Sequence, residues 1–72
     1  METDQFRGKY LLDNSNIEKY APEKPGVIII YDEGGKISKL SVADDNIKTE
    51  LSHFLNQENN HYFTFRQIKF NN

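Results

Sequence analysis

The chain has 72 residues, nine basic and eleven acidic side chains, and no cysteine. This length predicts a single domain with a thin stability margin, and the missing cysteines exclude disulfides and thiolate zinc sites. A net charge of −2, with Arg7 and Arg66 as the only arginines, lacks the basic excess of most nucleic-acid binders.

Apolar residues are sufficient for folding but too dispersed for a membrane span. Leu, Ile, Val and Phe make up about a quarter of the chain, above the level typical of disordered sequences. The longest apolar run is Val27 to Tyr31, far short of the roughly 20 residues that a transmembrane helix needs. With no signal-peptide pattern at the N-terminus, we expect a cytoplasmic protein without membrane association.

The first 21 residues predict an arm followed by a short helix. Residues 1–13 show no sustained period, and we expect them to form an N-terminal arm whose apolar residues dock on the core. These residues are Phe6, Tyr10, Leu11 and Leu12. Ser15 and Glu18 have the spacing of a capping box, which predicts a helix over about 15–21. Pro22 ends it, because proline disfavours helical geometry at the residue before it.

A β-hairpin is predicted next. Val27 to Tyr31 is apolar at every position, which fits a strand that is apolar on both faces and therefore central, and predicts a strand over 26–32. The Gly34-Gly35 pair fits the turn, and the second strand is predicted over 36–42. Its pattern is imperfect, because Ile37 falls on one face and Leu40 and Val42 on the other. A bulge near Lys39 would explain this.

The second half predicts a main helix and a third strand. Asp44-Asp45 can cap a helix over about 45–56, whose apolar residues form one stripe. These are Ile47, Leu51, Phe54 and Leu55. Residues 61–70 alternate as a strand. Its aromatics could form a base-stacking platform, but we expect Phe63 and Phe65 in the core instead.

The predicted fold class is therefore α+β. A small, mainly antiparallel sheet of three strands (26–32, 36–42, 61–70) packs against the short helix and the main helix, and residues 1–72 form one domain. His53 and His61 have no ligand partners at metal-site spacing, and no cofactor-binding motif occurs. We expect no metal and no cofactor.

The order of these elements resembles the GIY-YIG nuclease domain. The resemblance covers Lys24 to Leu55 (KPGVIIIYDEGGKISKLSVADDNIKTELSHFL): a proline-glycine, an apolar strand, a Tyr-Asp, a glycine turn, a second strand and an acidic-capped helix. The stretch Asn16 to Pro22 resembles the lead-in of some small members. The resemblance implies an endonuclease fold.

The residues at the family's catalytic positions differ. The first-strand tyrosine of the family corresponds to Ile28, and its Tyr-Ile-Gly to Lys39-Leu40-Ser41. Its helix arginine corresponds to Thr49 or Glu50, depending on the register. The family's metal-binding glutamate lies on a later helix, beyond the third strand with which this sequence ends. The resemblance therefore implies an inactive homologue.

We accordingly predict a catalytically inactive GIY-YIG-like module that binds an unknown partner. The candidate binding residues are His53, Lys36, Lys39 and Arg66. The partner is expected to be another protein or a second copy, and nucleic acid is less well supported. Two alternatives stay open. One is a phosphodiesterase with a rearranged site that uses His53, Glu50 and Tyr31. The other is an unrelated α+β protein that acts by self-association.

Overall fold

The computed structural model describes residues 5–68 and shows a small α+β domain. In chain order its elements are β1 (Arg7–Leu11), α1 (Asn14–Tyr20), β2 (Gly26–Tyr31), β3 (Ile37–Ala43), α2 (Ile47–Ser52) and β4 (Tyr62–Gln67). The strands form one antiparallel sheet in the order β1-β4-β2-β3. Neither helix within the described residues has the length or apolar content to cross a bilayer.

The sheet has four strands rather than the predicted three. Part of the predicted arm is strand β1, which pairs with β4 from Arg7 opposite Phe65 to Leu11 opposite Tyr62. Tyr10 packs against the core as predicted, as does Leu12. The expectation that Phe6 and Leu11 dock on the core was wrong, because both are 45% exposed. A register shift between Gly8 and Tyr10 interrupts the alternation of side chains between the two faces of β1. The sequence therefore lacks the alternating pattern from which a strand is predicted.

The predicted hairpin is confirmed, and β2 is central, between β3 and β4. The predicted bulge is also present. Ile30 pairs with Lys39 but Tyr31 pairs with Ile37, so Ser38 is the extra residue. The bulge turns Ile37 to the same face of the sheet as Leu40 and Val42. All three are more than half exposed.

Helix α1 begins one residue earlier than predicted and has a different cap. Asp13 is the N-cap, and its carboxylate accepts a hydrogen bond of 2.8 Å from the backbone N–H of Asn16. The predicted capping box of Ser15 and Glu18 does not form. Glu18 lies 3.5 Å from Lys48 of α2 instead, in a partly exposed ion pair. Aspartate and serine both favour the N-cap position, so the sequence is compatible with a helix that begins after Asp13 or after Ser15.

Helix α2 is shorter than the predicted 45–56 and is capped by Asn46, not by Asp44 or Asp45. The Asn46 side chain accepts a 2.7 Å hydrogen bond from the Thr49 N–H. After Ser52 the backbone bonds span three residues instead of four, as from Phe54 to Leu51, and the chain turns away at Asn56 with φ 64°.

The core lies between the helices and one face of the sheet. Its buried apolar members are Ile17, Ala21, Ile28, Ile30, Ala43, Ile47, Leu51, Phe63 and Phe65. Phe54 and Leu55 are partly buried against them, so the predicted apolar stripe of the main helix is confirmed. The placement of Phe63 and Phe65 in the core is confirmed as well. Phe70, at the end of the predicted third strand, lies outside the described residues.

Gly26 sits where β2, β4 and α2 meet, and a side chain there would not fit. A Cβ atom would overlap the carbonyl oxygen of Arg66 and the side chain of Ile47. We expect Gly26→Ala to lower stability by about 1–3 kcal/mol and the melting temperature by roughly 4–20 °C.

Thermal denaturation followed by circular dichroism checks this expectation. Gly34→Ala in the hairpin turn is the matched control, because the nearest atom to its Cβ, Asp32 Oδ1, is 3.5 Å away. Equal melting temperatures for the two variants would contradict the close approach at Gly26.

Candidate functional site

Four of the positions that match the nuclease motif, Glu50 being one in one of the two registers, lie on the helix side of the β2–β3 hairpin. Ile28 pairs with Ser41 across the two strands. The Ser41 hydroxyl donates a 2.8 Å hydrogen bond to Glu50 Oε2 on α2. Lys39 is on the same side, and its Nζ lies 3.2 Å from Asn60 Oδ1. Thr49 is exposed, with its backbone N–H bonded to Asn46.

Together these positions supply an aliphatic side chain, a hydroxyl, a carboxylate and an ammonium, with no tyrosine and no arginine. Ile28 is fully buried and supplies neither a nucleophile nor a base. In the register that aligns Glu50 with the family's arginine, this position carries a negative charge instead of a positive one. The nearby cation, Lys39, is already bonded to Asn60. The contact between Ser41 and Glu50 ties α2 to β3, which is a structural role.

The two histidines lie on different elements, His53 at the end of α2 and His61 just before β4. His53 is the C-cap of α2, and its Nδ1 lies 4.0 Å from Glu50 Oε1. Glu50 thus stands between Ser41 and His53, so the imidazole is not placed to accept a proton from the hydroxyl. His61 follows the loop after α2, and its ring packs edge-on against Tyr62. Within residues 5–68 no three His, Asp or Glu side chains are grouped to hold a metal.

The basic candidates from the sequence do not form one patch. Arg66 is on β4 opposite Val27, on the face away from the helices. Lys36 is in the hairpin turn at the other end of the sheet, about 20 Å away at the rise of a β-strand. Lys39 points to the helix side. These three cations therefore lie at separate places on the domain.

The most distinctive surface is the sheet face opposite the helices, here called the open face. Its side chains are Lys9, Leu11, Val27, Ile29, Tyr31, Ile37, Leu40, Val42, Tyr62, Thr64 and Arg66. No helix of the described residues covers it. Leu40 is 69% exposed, Ile37 64% and Val42 58%. Contiguous apolar side chains on a small protein commonly mark an interaction site.

Polar side chains fix one end of the open face. The Lys9 ammonium lies 4.3 Å from the centre of the Tyr31 ring and 5.9 Å from that of Tyr62. The hydroxyls of Tyr31 and Thr64 are 3.2 Å apart and share a hydrogen bond. At the other end the Arg66 guanidinium is 5.5 Å from the Phe6 ring. Two cations therefore flank the aliphatic centre.

Charge is separated between the two layers of the domain. The four strands carry Arg7, Lys9, Lys39 and Arg66 and no acidic residue. The acidic residues of the described chain are all on helices, turns and loops. Two of these cations, Lys9 and Arg66, are on the open face. This face is therefore positive, although the whole chain is negative. The sequence signal for this was available, since each strand lacks acidic residues, but the overall charge concealed it.

A small pocket lies on the helix side, between the β1–β4 edge and the end of α1. It measures about 200 Å³ and is lined by Arg7, Tyr20, Pro22, Phe65 and Gln67. The Tyr20 ring stacks on Tyr10 at 4.1 Å and forms one wall. Ligand sites usually enclose about 300–1,000 Å³, so this pocket is small for an organic ligand.

The chain matches no family model, and no curated protein or solved structure is similar enough to indicate a relationship. The resemblance to the GIY-YIG domain therefore depends on the sequence pattern alone.

Proposed function

We propose that this chain is a catalytically inactive, GIY-YIG-like interaction module. Its open face binds a protein segment that carries both apolar and acidic side chains. The observation that carries the proposal is the composition of this face. Ile37, Leu40 and Val42 are exposed on edge strand β3, the cations of Lys9 and Arg66 are on β1 and β4, and none of the four described strands carries a carboxylate. We place the module in the cytoplasm, in keeping with its lack of cysteine.

The residues at the nuclease positions support the inactive assignment. In place of a tyrosine there is a buried isoleucine, Ile28, and in place of an arginine there is Thr49 or Glu50. Loss of a single preorganised donor commonly costs about 10²–10³ in rate. With the base and the cation both replaced, little remains for catalysis. A plasmid-nicking assay with magnesium or manganese is expected to show no cleavage, and cleavage abolished by His53→Ala would contradict the proposal.

A protein ligand suits the open face better than nucleic acid does. Nucleic-acid affinity comes chiefly from cations that neutralise several phosphates, and within residues 5–68 this face has Lys9 and Arg66 as its cations. Its aliphatic centre has no counterpart in a phosphate backbone. An amphipathic helix with an apolar stripe and flanking carboxylates meets both features, because its stripe covers Leu40 and Val42 while its acids reach the cations.

The test is a chemical-shift titration of the labelled protein with a designed helical peptide. The peptide has leucines at helical spacing and glutamates at the other positions, and its control has lysines in place of the glutamates. We expect shifts at Ile29, Leu40 and Arg66 with the acidic peptide and a weaker response to the lysine peptide. Raising salt should reduce the difference between the two.

Charge reversal on the open face provides the second measurement. Arg66→Glu is expected to weaken binding of the acidic peptide by roughly three- to tenfold. Lys24→Glu makes the same charge change in an exposed loop and should leave the affinity unchanged. The proposal is wrong if neither peptide shifts the open face, or if only a nucleic acid (a duplex or a single strand) does so.

A further inference from the structure

We infer that two copies of this chain pair through strand β3, forming a continuous eight-stranded sheet with the two open faces side by side. β3 is at the edge of the sheet, and within residues 5–68 no strand pairs with its outer side. Such an edge offers backbone donors and acceptors to another strand. Bulges and charged side chains usually prevent an edge strand from pairing with another chain. In β3 the bulge is at one end, at Ser38, and the charged side chain of Lys39 is turned to the helix side, so both obstacles are weak.

Symmetry and charge favour a register centred on Leu40, the middle residue of β3. A two-fold axis perpendicular to the sheet keeps both open faces on the same side and pairs a residue of β3 with its own copy. An axis at Lys39 would place two lysines opposite each other, and an axis at Ser41 would bring two Glu50 carboxylates together. Like charges directly opposite are destabilising. An axis at Leu40 avoids both.

The Leu40 register also creates attractive contacts. Leu40 faces its own copy, and Lys39 faces Ser41 of the second copy. The Ser41 hydroxyl is bonded to Glu50 Oε2 at 2.8 Å, so the Lys39 ammonium of one copy approaches the Glu50 carboxylate of the other. The two-fold axis makes this pair occur twice. The charges on either side of the interface are therefore complementary in this register.

Pairing of two copies would enlarge the surface that is available to a ligand, and this step rests on the proposed function. Four strands spaced about 4.8 Å apart, each of about six residues, give a face on the order of 400 Å². Specific protein interfaces cover about 800 Å² on each partner. Two faces side by side double the area that one copy offers to a partner. The dimer would thus bind a long acidic, amphipathic segment that a single copy holds only weakly.

Disulfide cross-linking tests the register directly, because the chain has no cysteine of its own. In Leu40→Cys the two introduced residues would lie directly opposite, with Cα atoms about 4.5–5.5 Å apart, within the range for a disulfide. In Val42→Cys they would be offset by four residues, or about 13 Å. We expect mild oxidation to cross-link the Leu40→Cys protein and not the Val42→Cys protein. Equal cross-linking of both, or preferential cross-linking of Val42→Cys, would overturn the register.

Sedimentation at several concentrations tests the dimer without cross-linking. We expect Leu40→Asp to raise the dimer dissociation constant at least tenfold, because two carboxylates would face each other. Leu11→Asp is the matched control: it changes an exposed leucine on the opposite edge strand and should leave the constant within about twofold. The double variant Lys39→Glu/Glu50→Lys should dimerise better than either single variant.

The outcomes separate this inference from the proposed function. A wild-type protein that stays monomeric at millimolar concentration overturns the dimer, as does a dimer that Leu11→Asp disrupts and Leu40→Asp does not. If that monomer still binds the acidic peptide, the proposed function stands. If the dimer forms as described and its open faces bind neither peptide, the pairing stands and the proposed function fails.

Discussion

Phe63→Ala is expected to unfold the domain or leave it barely folded at 25 °C. Phe63 is fully buried on β4, and its ring contacts Tyr10 at a centroid distance of 5.4 Å and Phe65 at 6.2 Å. Truncation of a buried phenylalanine costs about 3–5 kcal/mol. A core of this size rarely supplies more than about 3–5 kcal/mol in total. The loss is therefore comparable to the whole stability.

Urea denaturation followed by circular dichroism measures this loss, at a protein concentration low enough to exclude dimers. Phe6→Ala is the matched control, because the same atoms are removed from a ring that is 45% exposed. We expect the control to change stability by less than about 1 kcal/mol. A Phe63→Ala protein with a cooperative transition close to that of Phe6→Ala would show that Phe63 is not central to the core.

The hairpin and the main helix could be predicted because several local signals agree there. The apolar run from Val27 to Tyr31, the turn glycines and the broken pattern near Lys39 all indicate the same β2–β3 pair. The stripe that includes Ile47 and Leu51 fixes which side of α2 packs on the sheet. In both elements the apolar residues recur with the period of the structure, two residues in a strand and 3.6 in a helix, and such periods can be recognised in a single sequence.

Strand β1 and the helix ends could not be predicted, because the local signals there are weak or point to several residues. In β1 only Tyr10 packs against the core, and the register shift beside Lys9 breaks the alternation. At the start of α2, Asp44, Asp45 and Asn46 all favour an N-cap, so the choice of Asn46 depends on tertiary contacts. One of these is the hydrogen bond from the Ile47 N–H to the Lys24 carbonyl, at 2.8 Å.

The open face was only half visible in the sequence. The pattern of β2 predicts apolar surroundings on both faces, and both faces of the strand are indeed apolar. Coverage of the second face requires another layer, and each of the two helices has only one apolar side. The helices cover the face that includes Ile28 and Ile30. The side chains of Val27 and Ile29 are left on the other face, and this difference is the physical basis of the proposed binding surface.

Ile28→Tyr, which introduces the tyrosine that the nuclease resemblance expects on this strand, should destabilise the protein and produce no nuclease activity. Ile28 is fully buried between Ser41 and Phe65 on the neighbouring strands. A larger ring there overpacks the core at a cost of about 1–3 kcal/mol. A buried hydroxyl without a partner adds about 1–3 kcal/mol.

Ile29→Tyr is the control for this experiment, since it makes the same change one residue along the strand, where the side chain points to the open face. We expect it to fold with nearly unchanged stability, because tyrosine is well suited to a half-exposed strand position. Thermal melts of both proteins and a plasmid-nicking assay with manganese complete the comparison. If Ile28→Tyr were as stable as Ile29→Tyr and cleaved DNA, a single substitution would account for the inactivity, and the helix side of the hairpin would have to be regarded as an intact nuclease site. With Glu50 bonded to Ser41 at 2.8 Å and no arginine on α2, the expected result is a weakened fold and no cleavage.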